Sequence, residues 1–205
     1  MWTRRIFLKG GLGTFLVGWK FISDAWAKTK QLLPKGFSKN HLKDMNPAEI
    51  DSRNLEIDPL NQFGTMGPTD VAIDSKTYRL KITGKTGRPL SLSYDEILKY
   101  PYITEAVLLI CPGFFANNGR WTGVNLNSLL QEAQVKKEAQ YIDINGAHGK
   151  GVRIPLKTIN QKKIFLAYRV NGETLPQKHG FPLRLVYEDA YGFDWVKYVD
   201  EIVVS

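Results

Sequence analysis

A chain of 205 residues has room for one sizeable hydrophobic core, with or without an appendage. A hydrophobic fraction of 43% and a charged fraction of 23%, with 5 Trp, 9 Tyr and 10 Phe, exclude a disordered or low-complexity polypeptide. The formal charge of +8 is interleaved with Asp and Glu beyond the N-terminus and accompanies no nucleic-acid-binding module, so a basic surface and no nucleic-acid partner are expected.

In chain order, the first feature is Thr3-Arg4-Arg5-Ile6-Phe7-Leu8-Lys9. It resembles the twin-arginine export signal, in which a hydroxyl residue, paired arginines, Phe-Leu and Lys follow in this order. Behind it, the glycine-rich run from Gly10 to Ile22 is interrupted by Lys20 and is too short and polar for a membrane span of about 20 apolar residues. Ala25-Trp26-Ala27 has the small-x-small pattern of a cleavage site, so residues 1–27 are expected to be a signal peptide and Lys28 the mature N-terminus. The resemblance implies the twin-arginine export machinery as a partner, a periplasmic destination and a protein that folds, commonly with a cofactor, before export.

Residues 28–60 are rich in Lys, Asn, Pro and Asp and read as an irregular lead-in, with a short helix capped by Asn46 and opened by Pro47. Tyr78, Leu80 and Ile82 alternate as in a half-buried strand, and Gly84 to Arg88 makes a turn. Ser93-Tyr94-Asp95-Glu96 is a capping box for a short helix that Pro101 stops. The continuous apolar run from Ala106 to Ile110 marks a strand buried on both faces, with Cys111 at its end.

Pro112 to Arg120 reads as a loop by composition, and Trp121 to Val124 leads to a helix over Leu126 to Leu130. Further strands are expected at 141–144, 151–154, 164–170, 183–187 and 199–204. Short strands with small helical insertions predict a β-rich α+β domain.

The single cysteine excludes an intrachain disulfide, so Cys111 needs another explanation. At the end of a buried strand it can be a rigidly held metal thiolate or a buried structural thiol, and position alone does not choose between them.

Three blocks together carry a resemblance. Leu109-Ile110-Cys111-Pro112-Gly113 is followed ten residues after the cysteine by Trp121-Thr122-Gly123-Val124. Val170-Asn171-Gly172 leads through Leu175-Pro176 to His179-Gly180-Phe181-Pro182-Leu183-Arg184. Tyr191-Gly192-Phe193 precedes Trp195-Val196-Lys197. These blocks are similar to the sulfite-oxidase-like molybdoenzymes, and the third to the bacterial periplasmic methionine-sulfoxide-reductase branch.

The resemblance implies molybdopterin with molybdenum as cofactor, in a molybdopterin-binding domain over residues 61–205, with Cys111 as the protein ligand of the metal and catalytic. It implies that His179 and Arg184 hold the pterin and its phosphate, which suits a donor beside a bidentate guanidinium fork. It also implies cofactor contacts from Trp195, Val196 and Lys197, and from Asn61 and Phe63 in the segment Asn61-Gln62-Phe63-Gly64-Thr65. Tyr191 is a candidate substrate contact, and Arg120 and His148 are each either a substrate contact or a solvated loop residue.

The similarity ends near Val204, before the immunoglobulin-like dimerisation domain of sulfite oxidases, which leads us to expect a monomer. The cysteine loop lacks the arginine-rich pattern of sulfite oxidases. Two-electron oxygen-atom transfer is therefore expected, with reduction of a sulfoxide-type small-molecule substrate ahead of sulfite oxidation. A cofactor-free binding module and an enzyme using Cys111 as nucleophile are the alternatives of other classes. No haem-attachment or iron–sulfur cysteine set exists, so electrons would come from a separate carrier, a cytochrome or membrane haem protein.

Overall fold

Two five-stranded sheets, packed through their apolar faces, form the body of the protein in a computed structural model that describes residues 29–205. The expected signal peptide and its cleavage site lie outside the described residues. The lead-in forms only short pieces: β1 (Gln31–Leu32), α1 (Lys39–Leu42), a 3-10 turn over Pro47–Glu49 and β2 (Ile50–Asp51), which pairs with β1 in parallel. Asn46 caps the 3-10 turn by accepting from the Ala48 amide, as expected of the Asn-Pro pair.

The second half of the lead-in reaches a 3-10 turn at Leu60–Gln62, and the sheets follow. They comprise β3 (Arg79–Gly84), β4 (Leu90–Ser93), β5 (Tyr102–Cys111), β6 (Phe115–Asn125), β7 (Tyr141–Gly146), β8 (Gly151–Pro155), β9 (Ile164–Val170), β10 (Glu173–Thr174), β11 (Arg184–Tyr187) and β12 (Val199–Val204). Short helices α2 (Tyr94–Ile97), α3 (Leu126–Glu132) and α4 (Leu156–Ile159) are inserted between them. The first sheet runs β5-β6-β9, with β10 and β11 both on the far edge of β9, and is antiparallel throughout. The second is β4-β3-β12-β7-β8, in which only β12 and β3 are parallel. This is the expected β-rich α+β class.

Side-chain alternation explains how one sheet serves two layers. Ile164, Leu166 and Tyr168 of β9 enter the main core between the sheets, whereas Phe165 and Ala167 enter a second cluster on the opposite face. β5 divides likewise: Val107, Leu109 and Cys111 face that second cluster, and Leu108 and Ile110 face Leu33, Leu42 and Ile50 of the lead-in. The unbroken apolar run of β5 is therefore buried on both faces, as its composition requires.

One expectation is corrected. Pro112 to Arg120 is not a loop: only residues 112–114 turn, and β6 pairs with β5 along its length from Cys111↔Phe115 to Tyr102↔Val124. Asn117 and Asn118, which fall in the expected loop, are buried and hold other segments through their side-chain amides, Asn117 as both donor and acceptor and Asn118 as donor. The Asn118 Nδ2 donates to the carbonyls of Leu55 and Glu56, at 3.1 and 3.0 Å, and so ties the lead-in to the sheet. Asn117 accepts from the Gly64 amide at 3.0 Å and donates to its carbonyl at 2.8 Å, which docks the segment after Phe63 onto β6. Among the described residues no helix is long and apolar enough to cross a membrane.

Candidate functional site

Where β5 ends, Leu109 and Cys111 open onto a cleft. Its other walls come from the docked segment Gly64–Pro68, from Phe115, from the β7–β8 turn and from the stretch before β12. The Cys111 thiol is free and 8% exposed, and Met66 places its thioether sulfur 3.8 Å from Sγ. Burial pushes the thiol above its ordinary value, against the opposite pull of Lys150 and Arg184. A sulfur in this setting stays protonated unless a metal stabilises its thiolate.

Deeper in the cleft is a cluster of cations. Arg184 opens β11 and is buried, its guanidinium 5.8 Å from the ring centres of both Trp121 and Trp195. Its Nη1 donates to the His179 carbonyl at 2.9 Å, but its Nε has no partner. Burial lowers its pKa to about 10. His179 ends a 3-10 turn over Gln177–His179, is 1% exposed, meets Phe63 edge to face at 5.9 Å, and has no partner at Nε2. Burial, then the charges of Arg184, Lys178 and Lys197, lower its pKa to about 4.

Lys197 donates to the Thr65 hydroxyl at 3.0 Å and to the carbonyls of Pro68 and Lys178 at 2.8 and 3.0 Å. Burial and Arg184 lower its pKa to about 8. Among the described residues neither Arg184 nor Lys197 takes part in an ion pair with a carboxylate. Buried cations without a counter-charge cost a fold several kcal/mol, which an anionic ligand removes.

Cys111, Arg184, Trp195 and Lys197, expected from sequence, thus line one cleft. Phe63 and His179 pack together behind it, with Trp121 5.9 Å from Phe63. Val196 turns its side chain into the main core, while its amide donates to the Asp194 carbonyl at 3.1 Å and its carbonyl accepts from the Leu185 amide at 2.8 Å.

Besides Phe63, His179 and Val196, three further candidates do not line the cleft. Asn61 faces a separate shallow groove with Asn171 and Lys178. Arg120 is exposed and pairs with Ala106, five strand positions from the Cys111↔Phe115 end, roughly 15 Å along β6. The loop expected to carry it beside Cys111 is a strand, and Arg120 does not line the cleft. Tyr191 stands behind the wall, stacked at 5.7 Å on Phe193, which does line the cleft.

The sequence did not single out Met66, Lys150 or Phe193 as site residues, and His148, left open, is a lining residue. Only the glycines flanking Lys150 marked its turn locally. Its approach to Cys111 depends on the order of strands in the second sheet.

An anionic, phosphate-bearing group fits this arrangement. The unpartnered His179 Nε2 and Arg184 Nε are buried donors or acceptors of the kind that natural folds rarely leave unsatisfied, and a thiol opens onto the same cleft.

Comparison with known proteins agrees. The chain is 29% identical over 166 residues to the protein-methionine-sulfoxide reductase catalytic subunit MsrP of Gluconobacter oxydans, covering 69% of this chain and 52% of that one. It is 30% identical over 190 residues to the mitochondrial sulfite oxidase of Macaca fascicularis, covering 78% of this chain and 35% of that one. The fold matches the crystal structure of the sulfane dehydrogenase SoxCD from Paracoccus pantotrophus with a TM-score of 0.62 at 22% identity, over 96% of this chain and 56% of that chain. The chain therefore spans less than two thirds of the length of these proteins. The family model of the oxidoreductase molybdopterin binding domain matches residues 66–205, the span that holds Cys111, Arg184 and Lys197. By that match, which takes in most of its length, the chain belongs to the molybdopterin-binding oxidoreductase family, in its sulfite-oxidase-like group.

Proposed function

We propose that the chain is an exported molybdenum-cofactor oxidoreductase that reduces a sulfoxide-type substrate. The observation that carries this reading is the joint placement of the Cys111 thiol and the uncompensated cations Arg184 and Lys197 on one cleft. Arg184, His179 and Lys197 would hold the pterin and its phosphate, Trp195 would wall the pterin, and Cys111 would ligate the metal. When bound, the cofactor supplies the two-electron change and the centre that accepts the oxygen. The chain's own residues exclude bulk water, fix the phosphate and keep the sulfur in place. A sulfoxide takes two electrons and two protons and leaves as a thioether and water, the electrons coming from a separate haem-containing carrier.

Apolar walls at Leu109, Phe115 and Phe193, and a Pro112–Phe114 turn without arginine, favour an uncharged organic oxide over a compact dianion. Sulfite oxidation is the second reading, supported by the similarity to the Macaca fascicularis sulfite oxidase. Metal analysis of protein from molybdate-fed cells, followed by assays on sulfoxides, N-oxides and sulfite with an artificial electron carrier, tests both. Near-stoichiometric molybdenum and turnover fastest on sulfoxides are expected. Folded protein that binds no molybdenum would make it a cofactor-free binding module, and faster sulfite oxidation would install the second reading.

We further propose residues 1–27 as the twin-arginine signal, 28–60 as the lead-in and 61–205 as the catalytic domain of a periplasmic protein. Replacing Arg4 and Arg5 together by lysine should keep the protein in the cytoplasm. Undiminished export would exclude the twin-arginine route.

A further inference from the structure

The β7–β8 turn contributes a cation that the cofactor reading leaves unused. Lys150 lines the cleft together with Cys111. Arg184 is committed to the His179 carbonyl, and Lys197 to three oxygens. Lys150 is exposed and joins none of the ion pairs formed among the described residues.

Its backbone, however, is held. The Lys150 amide donates to His148 Nδ1 at 3.2 Å, its carbonyl accepts from the Gly146 amide at 2.9 Å, and Gly149 takes the left-handed conformation, φ +83°, that closes the turn. A long, exposed side chain thus rises from a fixed root at the cleft wall, near enough to Asp194 for its charge to act on that carboxylate.

Beside the cations Arg184 and Lys197 and the polar Thr65 and His148, the cleft has apolar lining at Leu109, Phe115 and Phe193. One strong donor facing an apolar wall recognises a ligand with an apolar body and one polarised oxygen. With Arg184 and Lys197 given over to the cofactor, a compact oxyanion would have this one cation to meet its charge.

We propose that Lys150 orients the substrate: its ammonium donates to the oxygen of an organic S-oxide whose apolar body lies against Leu109, Phe115 and Phe193. This rests on the oxidoreductase reading and names the residue that selects its substrate. Lys150 acts by binding and takes no part in the redox step.

The test uses molybdenum-loaded enzyme carrying Lys150→Met or Lys150→Arg, with methyl phenyl sulfoxide as the probe. KM and kcat are measured with a reduced dye as donor. The dissociation constant is measured in the oxidised enzyme, where no turnover occurs, from the shift of the metal centre's visible absorption. Lys150→Met should raise KM and the dissociation constant about tenfold, as loss of a charged hydrogen bond predicts, with kcat and molybdenum content little changed. Lys150→Arg should restore most of the affinity.

An unchanged dissociation constant in Lys150→Met, or an effect confined to kcat, overturns the proposal. If loaded enzyme oxidises sulfite and reduces no sulfoxide, the reaction reading has failed. Lys150 is then judged by the sulfoxide dissociation constant alone, whose rise in Lys150→Met sustains the orienting role and whose constancy overturns it. A wild-type enzyme that does not bind the sulfoxide overturns both.

Discussion

The imidazole of His179 is neutral because nothing around it favours the charge. It is 1% exposed, and the charges that face it, Arg184, Lys178 and Lys197, are all positive. Its pKa in the folded protein is about 4, against an ordinary value of 6.5. The unfolded chain therefore takes up this proton first, and the linkage sign follows. Stability is unaffected by this group above about pH 6.5 and falls as pH drops through the range towards about 4. The shift corresponds to at most about 3 kcal/mol. His179→Gln removes the titration, so urea midpoints measured from about pH 7 down to about pH 4.5 should fall more steeply for the cofactor-free wild type than for the variant. Parallel slopes would mean that the folded imidazole carries a charge at mildly acidic pH, and would remove the reason for its unpartnered Nε2.

At the scale of elements, the position of Arg184 depends on how closely β6 and β9 approach. Gly123 pairs with Ala167, and a Cβ at position 123 would lie 2.0 Å from the Leu166 carbonyl oxygen and 2.5 Å from the Ala167 Cα. These are backbone atoms with no freedom to yield, and the opposite edge of β9 pairs Ala167 with Arg184. Gly123→Ala should therefore cost about 3 kcal/mol, near 10 °C in the unfolding midpoint, and should lower cofactor retention through the displaced β11. A variant with unaltered midpoint and molybdenum content would show that the strands separate freely. The same strands show what local sequence encodes. The apolar run of β5 announced a strand buried on both faces, and Ser93 with Glu96 forms the expected capping box: Ser93 Oγ accepts from the Glu96 amide at 3.3 Å and the Glu96 carboxylate accepts from the Ser93 amide at 2.8 Å. Asn117 and Asn118 misled because their amides satisfy the backbone of a segment some sixty residues earlier, which no local pattern records. Cys111, Arg184 and Lys197, which the motifs singled out, line the cleft, whereas Lys150 and Met66 reach it only through long-range strand order and the docking of Gly64–Pro68.

At the scale of the whole molecule, a protein with a formal charge of +8 buries part of its positive charge without compensation. Arg184 is one of these cations, 6% exposed and set between two tryptophans. In the cofactor-free protein it is a liability, because a buried charge lacking a partner loses hydration that the interior does not return. An apolar side chain of similar length should relieve this, so cofactor-free Arg184→Met should unfold at a temperature equal to or above the wild type's. The loaded protein should behave oppositely. A tightly held ligand stabilises the fold in proportion to the logarithm of its excess over Kd, about 4 kcal/mol at a thousandfold, which for a chain of this length raises the midpoint by roughly 8–16 °C. Arg184→Met should lose most of that increment together with most of its pterin, read as fluorescence of the released, oxidised cofactor. The two measurements separate a binding role from a structural one. If Arg184 merely supported the fold, its replacement would lower both midpoints alike, whereas a cation set aside for an anionic ligand predicts a cofactor-free protein that gains, or at least keeps, stability as it loses the capacity to be loaded.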